Sequence, residues 1–141
     1  AYGTITYSLT VSQGNSEGSK NNPVELTLGT AHSGTIDNIA ANWEYGYSYY
    51  KFTTASADNH TLTMNNSDSL DCSLYSDSGF SSSVSSYYND CTAGTNLSKT
   101  FTGTSSTVGL LSGTSYYLRI EGKSSTLKTT TYNITVAAEG N

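Results

Sequence analysis

The stretch Asn42-Trp43-Glu44-Tyr45-Gly46-Tyr47-Ser48-Tyr49-Tyr50-Lys51-Phe52 decides how this chain is read. Successive side chains of a β-strand point to opposite faces. As a strand, the stretch puts Trp43, Tyr45, Tyr47, Tyr49 and Lys51 on one face and Tyr50 and Phe52 on the other. One apolar face is enough to join a core. A second aromatic face marks either a strand buried on both sides, a platform for a ligand, or a contact between subunits. Flat rings stack on sugars and on other rings, and tyrosine offers a hydroxyl at little entropic cost. Tyrosine and tryptophan also dominate protein interfaces.

The same parity runs outward from this stretch. Ile5, Tyr7, Leu9 and Val11 alternate with Thr4, Thr6, Ser8 and Thr10, which predicts a half-buried strand over about 2–11. Short strands are expected at Pro23 to Leu28, Ser33 to Ile36, His60 to Asn65, Leu70 to Tyr75, Leu97 to Phe101, Thr107 to Leu111, Tyr116 to Glu121 and Tyr132 to Val136. Asp77-Ser78-Gly79 signals a turn, and Ser81 to Ser86 reads as a loop or weak edge strand. No helical period emerges. About ten short strands near ten residues apart indicate an all-β antiparallel sandwich, and 141 residues fit one domain, 1–141, with the 2–11 strand as an addition.

Composition narrows the function. Charged residues are 12% of the chain, about half the usual share, yet 12 Tyr, 3 Phe and 1 Trp give it a core to build. The net charge of −5, without a Lys/Arg cluster, speaks against nucleic acid as a partner. No apolar run nears the roughly 20 residues that cross a bilayer as a helix. A first residue of Ala and the polar composition suit a processed secreted chain or an excised domain. Cys72 and Cys91 are the two cysteines. In a chain with this extracellular character they are expected to form a disulfide.

The order of pieces also resembles the bacterial pre-peptidase C-terminal domain family. The matching pieces are Ser33-Gly34-Thr35-Ile36, Tyr49-Tyr50-Lys51-Phe52, Leu62-Thr63-Met64, Leu70 to Asp77, Gly113 to Gly122 and Tyr132-Asn133-Ile134-Thr135-Val136. Together they span about residues 17–137. The resemblance implies a jelly-roll-like sandwich on a secreted protein, carried beside proteases or other hydrolases as a non-catalytic appendage. Collagen-binding domains of bacterial collagenases look similar. The sequence departs from the family pattern in three places. Gly46-Tyr47-Ser48 stands where acidic residues often precede the aromatic pair, the cysteine pair is added, and the 2–11 strand lies ahead of the usual start.

Chemistry is sparse. His32 and His60 are the two histidines, outside any His-Glu-x-x-His pattern, and no Gly-x-Ser-x-Gly elbow occurs. An enzyme would need a fold that brings one of them beside a serine and an aspartate. Asp68, Asp71, Asp77 and Asp90 could supply oxygens to calcium, but turn-forming aspartates explain the same letters. No cofactor is expected. Asn59, Asn65, Asn96 and Asn133 sit in Asn-x-Ser/Thr sequons.

These readings lead to a non-catalytic, secreted module serving adhesion or assembly at the cell exterior. Its partners would be copies of itself or a surface polymer, reached through the aromatic face and the assembly strand Ile5, Tyr7, Leu9 and Val11. The alternative is a polysaccharide- or matrix-protein-binding appendage of a secreted hydrolase.

Overall fold

The computed structural model describes residues 3–8, 16–38, 46–84, 89–91, 94–101, 109–122 and 128–139. For residues 38, 89–91, 94–101 and 128 it describes the backbone alone. The strands are β1 (Val24–Glu25), β2 (His32–Asn38), β3 (Tyr47–Thr53), β4 (His60–Asn66), β5 (Leu70–Tyr75), β6 (Asn89–Cys91), β7 (Gly94–Phe101), β8 (Ser115–Gly122) and β9 (Lys128–Ala138). Among the described residues there is no helix, and hence none long and apolar enough to cross a membrane.

The strands form two sheets, in the orders β1-β3-β8-β5-β6 and β2-β9-β4-β7. All pairings are antiparallel except the two-residue parallel contact of β1 with β3, where Val24 faces Tyr50 and Glu25 faces Lys51. Parity then fills the space between the sheets. From the first sheet come Tyr50 and Phe52, then Tyr116, Leu118 and Ile120, then Leu70, Cys72 and Leu74. From the second come Ile36, Leu62, Met64, Tyr132, Ile134 and Val136. The six residues whose inward aim matters most to the parity reading, Tyr50, Phe52, Tyr116, Leu118, Ile134 and Val136, are all at or below 4% exposure.

Gly34 shows how closely the layers meet. A Cβ at this position would lie 2.6 Å from the Tyr132 ring, so the ring occupies the space a side chain would need.

Several expectations change once the sheets are seen. Pro23 to Leu28 supplies only the two-residue β1; Pro23 has no amide hydrogen to give a ladder, and the bond of Leu26 N to Lys51 O of β3 is the last that follows it. Of Thr107 to Leu111, the described part contributes an isolated bridge, Asp58 with Leu110, and no strand. The segment over 2–11 differs most. Its described part, residues 3–8, belongs to no strand and is exposed throughout. Alternation gives a strand a face to bury but not a partner, and a strand exists only when another pairs with it.

Candidate functional site, an aromatic face and an unpaired segment

The outer face of the five-stranded sheet is built by register. Tyr47, Tyr49 and Lys51 stand outward on β3, opposite Glu121, Arg119 and Tyr117 of β8. Arg119 and Tyr117 in turn face Ser73 and Tyr75 of β5. Three strands thus converge their odd-numbered residues into one patch. The Arg119 guanidinium lies 5.2 Å from the Tyr47 ring centre and 5.5 Å from that of Tyr75. A guanidinium at this distance is held by the ring quadrupoles. Tyr47 and Tyr49 stack at 6.2 Å.

A loop residue covers half of this patch. Phe80 sits edge-on against Tyr49, Tyr75 and Tyr117, with centroids at 4.9, 5.7 and 5.6 Å. Its backbone is left-handed, φ 53°, which is unusual for a bulky residue. Asp77 holds the loop in place. Its carboxylate accepts from Ser81 N at 3.0 Å, Ser82 N at 2.7 Å and Ser81 Oγ at 2.6 Å. These bonds lower the Asp77 carboxyl to about 2.

The patch therefore has a sealed half, around Phe80, and an open half, around Tyr47 and Arg119. Tyr47 is 37% exposed. Burial first, and the Glu121 carboxylate beside it, raise the Tyr47 phenol above its ordinary range. Burial also raises Tyr49, offset in part by Arg119. Lys51 reaches Glu25 Oε2 at 3.4 Å, at the rim. Trp43 and Tyr45 lie outside the described residues. The sequence reading found Tyr47, Tyr49 and Lys51 but missed Arg119, Tyr117, Tyr75 and Phe80. The first three are cross-strand neighbours that only the register reveals. Phe80 carried one readable signal, a lone aromatic in a serine-rich loop three residues after Asp77.

The second feature is the segment of residues 3–8. Ile5 is 86% and Tyr7 82% exposed, the most exposed large hydrophobics among the described residues. Leu9 and Val11 lie outside the described residues.

A polar cluster sits at the edge where the two sheets meet. Glu17 Oε2 lies 2.7 Å from both His32 Nε2 and the Tyr50 hydroxyl, and Tyr50 also bonds the Tyr132 hydroxyl. Glu17 N donates to the buried Ser48 Oγ at 2.9 Å, and Tyr49 N donates to Glu17 O at 2.8 Å. Residue 17 is thereby pinned between β2 and β3. Burial, followed by the neighbouring Tyr132, pushes the Tyr50 phenol far upward, and burial raises Tyr132 as well. Beside the cluster is a pocket of about 540 Å³ lined by Glu17, Thr35, Asn65, Ser67, Thr131 and Asn133 among others.

The remaining sequence candidates are placed as follows. His32 pairs with Glu17, and His60 is fully buried against Phe52 with Nδ1 at 2.9 Å from the Asp58 carbonyl. Asp68 accepts from Ser69 N, and Asp71 stands opposite Asp90 across β5 and β6. No group of three or more metal-binding side chains occurs among the described residues. Cys91 lies opposite Leu70, and Cys72 opposite Asn89, so the two cysteines occupy adjacent strands two residue pairs apart in register. Asn65 and Asn133 face each other across β4 and β9, both exposed.

The chain has the fold of a pre-peptidase C-terminal domain. It is similar to the pre-peptidase C-terminal domain of collagenase from Bacillus anthracis, known from a crystal structure, with a TM-score of 0.52. The likeness covers 82% of this chain and 94% of that one at 18% identity. No protein-family model matches the sequence, and no curated protein matches it.

Proposed function

We propose that this chain is a non-catalytic extracellular module that serves adhesion or assembly at the cell exterior, with copies of itself as its first partner. One observation carries the reading. Residues 3–8 hold out Ile5 and Tyr7, 86% and 82% exposed, on a segment patterned as a strand but paired with no strand among the described residues. Burying such side chains contributes about 1.5–3 kcal/mol each. A strand that meets a free sheet edge also satisfies its backbone groups, the mode by which sheets are extended between chains. Low charge supports the reading, since weakly charged subunits repel one another little. The reading needs no metal or cofactor.

Negative-stain microscopy of the full chain at rising concentration tests it. Particles longer than one sandwich are expected; a field of single sandwiches at every concentration contradicts it.

A second reading has its own observation, the open half of the aromatic face around Tyr47 and Arg119. The structurally similar domain belongs to a collagenase, which favours an appendage that holds a matrix protein, with polysaccharide as the other polymer such a face suits. Retention on immobilised collagen and on insoluble glycans, compared with a Tyr47→Ala/Arg119→Ala variant, separates these. Equal retention of both proteins removes the face from the account.

A Cys72–Cys91 disulfide belongs to the same proposal, supported by the adjacent strands and by the absence of free thiols among the described residues. Alkylation of the denatured chain without reductant should label neither cysteine. Labelling of both would refute the bond and weaken the extracellular assignment.

A further inference from the structure

We propose that the outer face of the four-stranded sheet binds one neutral sugar unit, seated in the pocket of about 540 Å³ where β2, β9 and β4 run side by side. The site lies on the side of the sandwich opposite the aromatic face, and it draws on neither reading above.

The strand register builds it. Ser33 of β2 faces Asn133 of β9, and Asn133 faces Asn65 of β4. One step along, Thr35 faces Thr131, and Ser67 Oγ accepts from Thr131 N at 3.0 Å. The sequence neighbours Ile36, Met64, Asn66, Tyr132 and Ile134 are buried, so the strand residues of both rows share the outward parity. The rows lie about 7 Å apart along the strands, with about 4.8 Å between neighbours across them. All six side chains line the pocket.

Each of the six is a hydroxyl or a carboxamide, a group that both donates and accepts. A sheet face that only meets water usually intersperses charges of both signs, whereas these two rows carry none. The Ser33 hydroxyl donates to Asn133 Oδ1, which fixes that carboxamide and leaves both Nδ2 hydrogens uncommitted among the described residues. The side chains of Thr35, Asn65 and Thr131 make no hydrogen bond among the described residues. Glu17 closes one wall. Its Oε2 is held by His32 and Tyr50, both at 2.7 Å, and its backbone is held by Ser48 and Tyr49. Among the described residues, Oε1 is left as a preset acceptor of the stronger, charge-assisted kind.

This inventory selects the ligand. The vicinal hydroxyls of a sugar each donate and accept, and so match a lining that does both. A phosphate, sulfate or uronate would meet one carboxylate and no cation among the described lining residues, in a chain of net charge −5. An apolar ligand would find no surface, since Tyr132, the one aromatic among those residues, is 2% exposed. Without a ring to stack on, discrimination rests on hydrogen bonds, and strands hold their partners at fixed spacing.

Proton–nitrogen correlation NMR of the full chain tests the site. The chain is titrated in turn with D-glucose, D-galactose, D-mannose and N-acetyl-D-glucosamine, and with D-glucuronate as the charged control. At least one neutral sugar should give saturable shifts at the amides of residues 33–35, 65–67 and 131–133. Thr35→Val/Thr131→Val replaces two hydroxyls by methyls of similar shape and keeps the strand propensity; it should weaken binding of that sugar about tenfold. Asn65→Ala/Asn133→Ala should do the same, and decides the matter if the first variant does not fold. Undiminished affinity in either folded variant overturns the site. So do saturable shifts centred on Tyr47 and Arg119, tighter binding of glucuronate, or no saturable shift with any of the four neutral sugars. None of these results touches the assembly reading, which particle size decides.

Discussion

β8 and the segment of residues 3–8 are written in the same code and meet opposite fates. Both alternate a large apolar or aromatic side chain with a polar or smaller partner. In β8, Tyr116, Leu118 and Ile120 are at most 4% exposed, because β3 and β5 flank the strand and the second sheet covers it. In the segment 3–8, Ile5 and Tyr7 stay in water. The contrast teaches that parity specifies a face to be buried, whereas burial itself needs a neighbouring edge.

The largest effect that would break the contrast is in the core. Leu118→Ala should cost about 2–5 kcal/mol in denaturant unfolding, since Leu118 is fully buried between the layers. Ile5→Ala, measured on the monomer, should change stability by less than about 0.5 kcal/mol. Equal losses would mean that residues 3–8 pack on their own sandwich.

Next comes the seat of Phe80. Phe80→Ala should destabilise by about 3 kcal/mol or somewhat less, because the ring is 5% exposed yet lies on the outer face. The near-ultraviolet circular dichroism of the tyrosines it touches should change with it. Asp77 holds that loop, and its lowered pKa fixes the sign of an acid effect. A carboxylate depressed from 3.8 to about 2 stabilises the fold above its unfolded value and loses that contribution as pH falls through about 2. Asp77→Asn should therefore flatten the acid limb of the stability curve. An unchanged limb would mean that the turn bonds do not favour the charged form.

The alkaline limb is smaller in its reach and opposite in sign. Tyr50 and Tyr132 have phenols raised above 10.0 in the folded state, chiefly by burial. Above pH 10 the unfolded chain loses those protons and the native chain keeps them, so stability should decline from there upward. Tyr50→Phe should remove part of the decline. Ultraviolet difference titration checks this directly: the two phenols should ionise only as the chain unfolds.

Much of the fold was legible. β3, β4, β5, β8 and β9 follow clean alternation, and their inward residues are those parity selects. β6 was not legible, because Asn89-Asp90-Cys91 has no β pattern of its own and becomes a strand only beside β5. The aromatic face was half legible. Tyr47 and Tyr49 announce themselves within one strand, but Arg119, Tyr117 and Tyr75 join them through the β3–β8–β5 register, which is a long-range property. Glu17 was overlooked because nothing local in Ser16-Glu17-Gly18 foretells its contact with His32 and Tyr50.

Sedimentation velocity of the full chain beside the Ile5→Asp/Tyr7→Asp variant, at matched concentrations, tests the account at its centre. The wild type should sediment as a concentration-dependent series of growing species and the variant as a single sandwich. Two superimposable monomer profiles would contradict it.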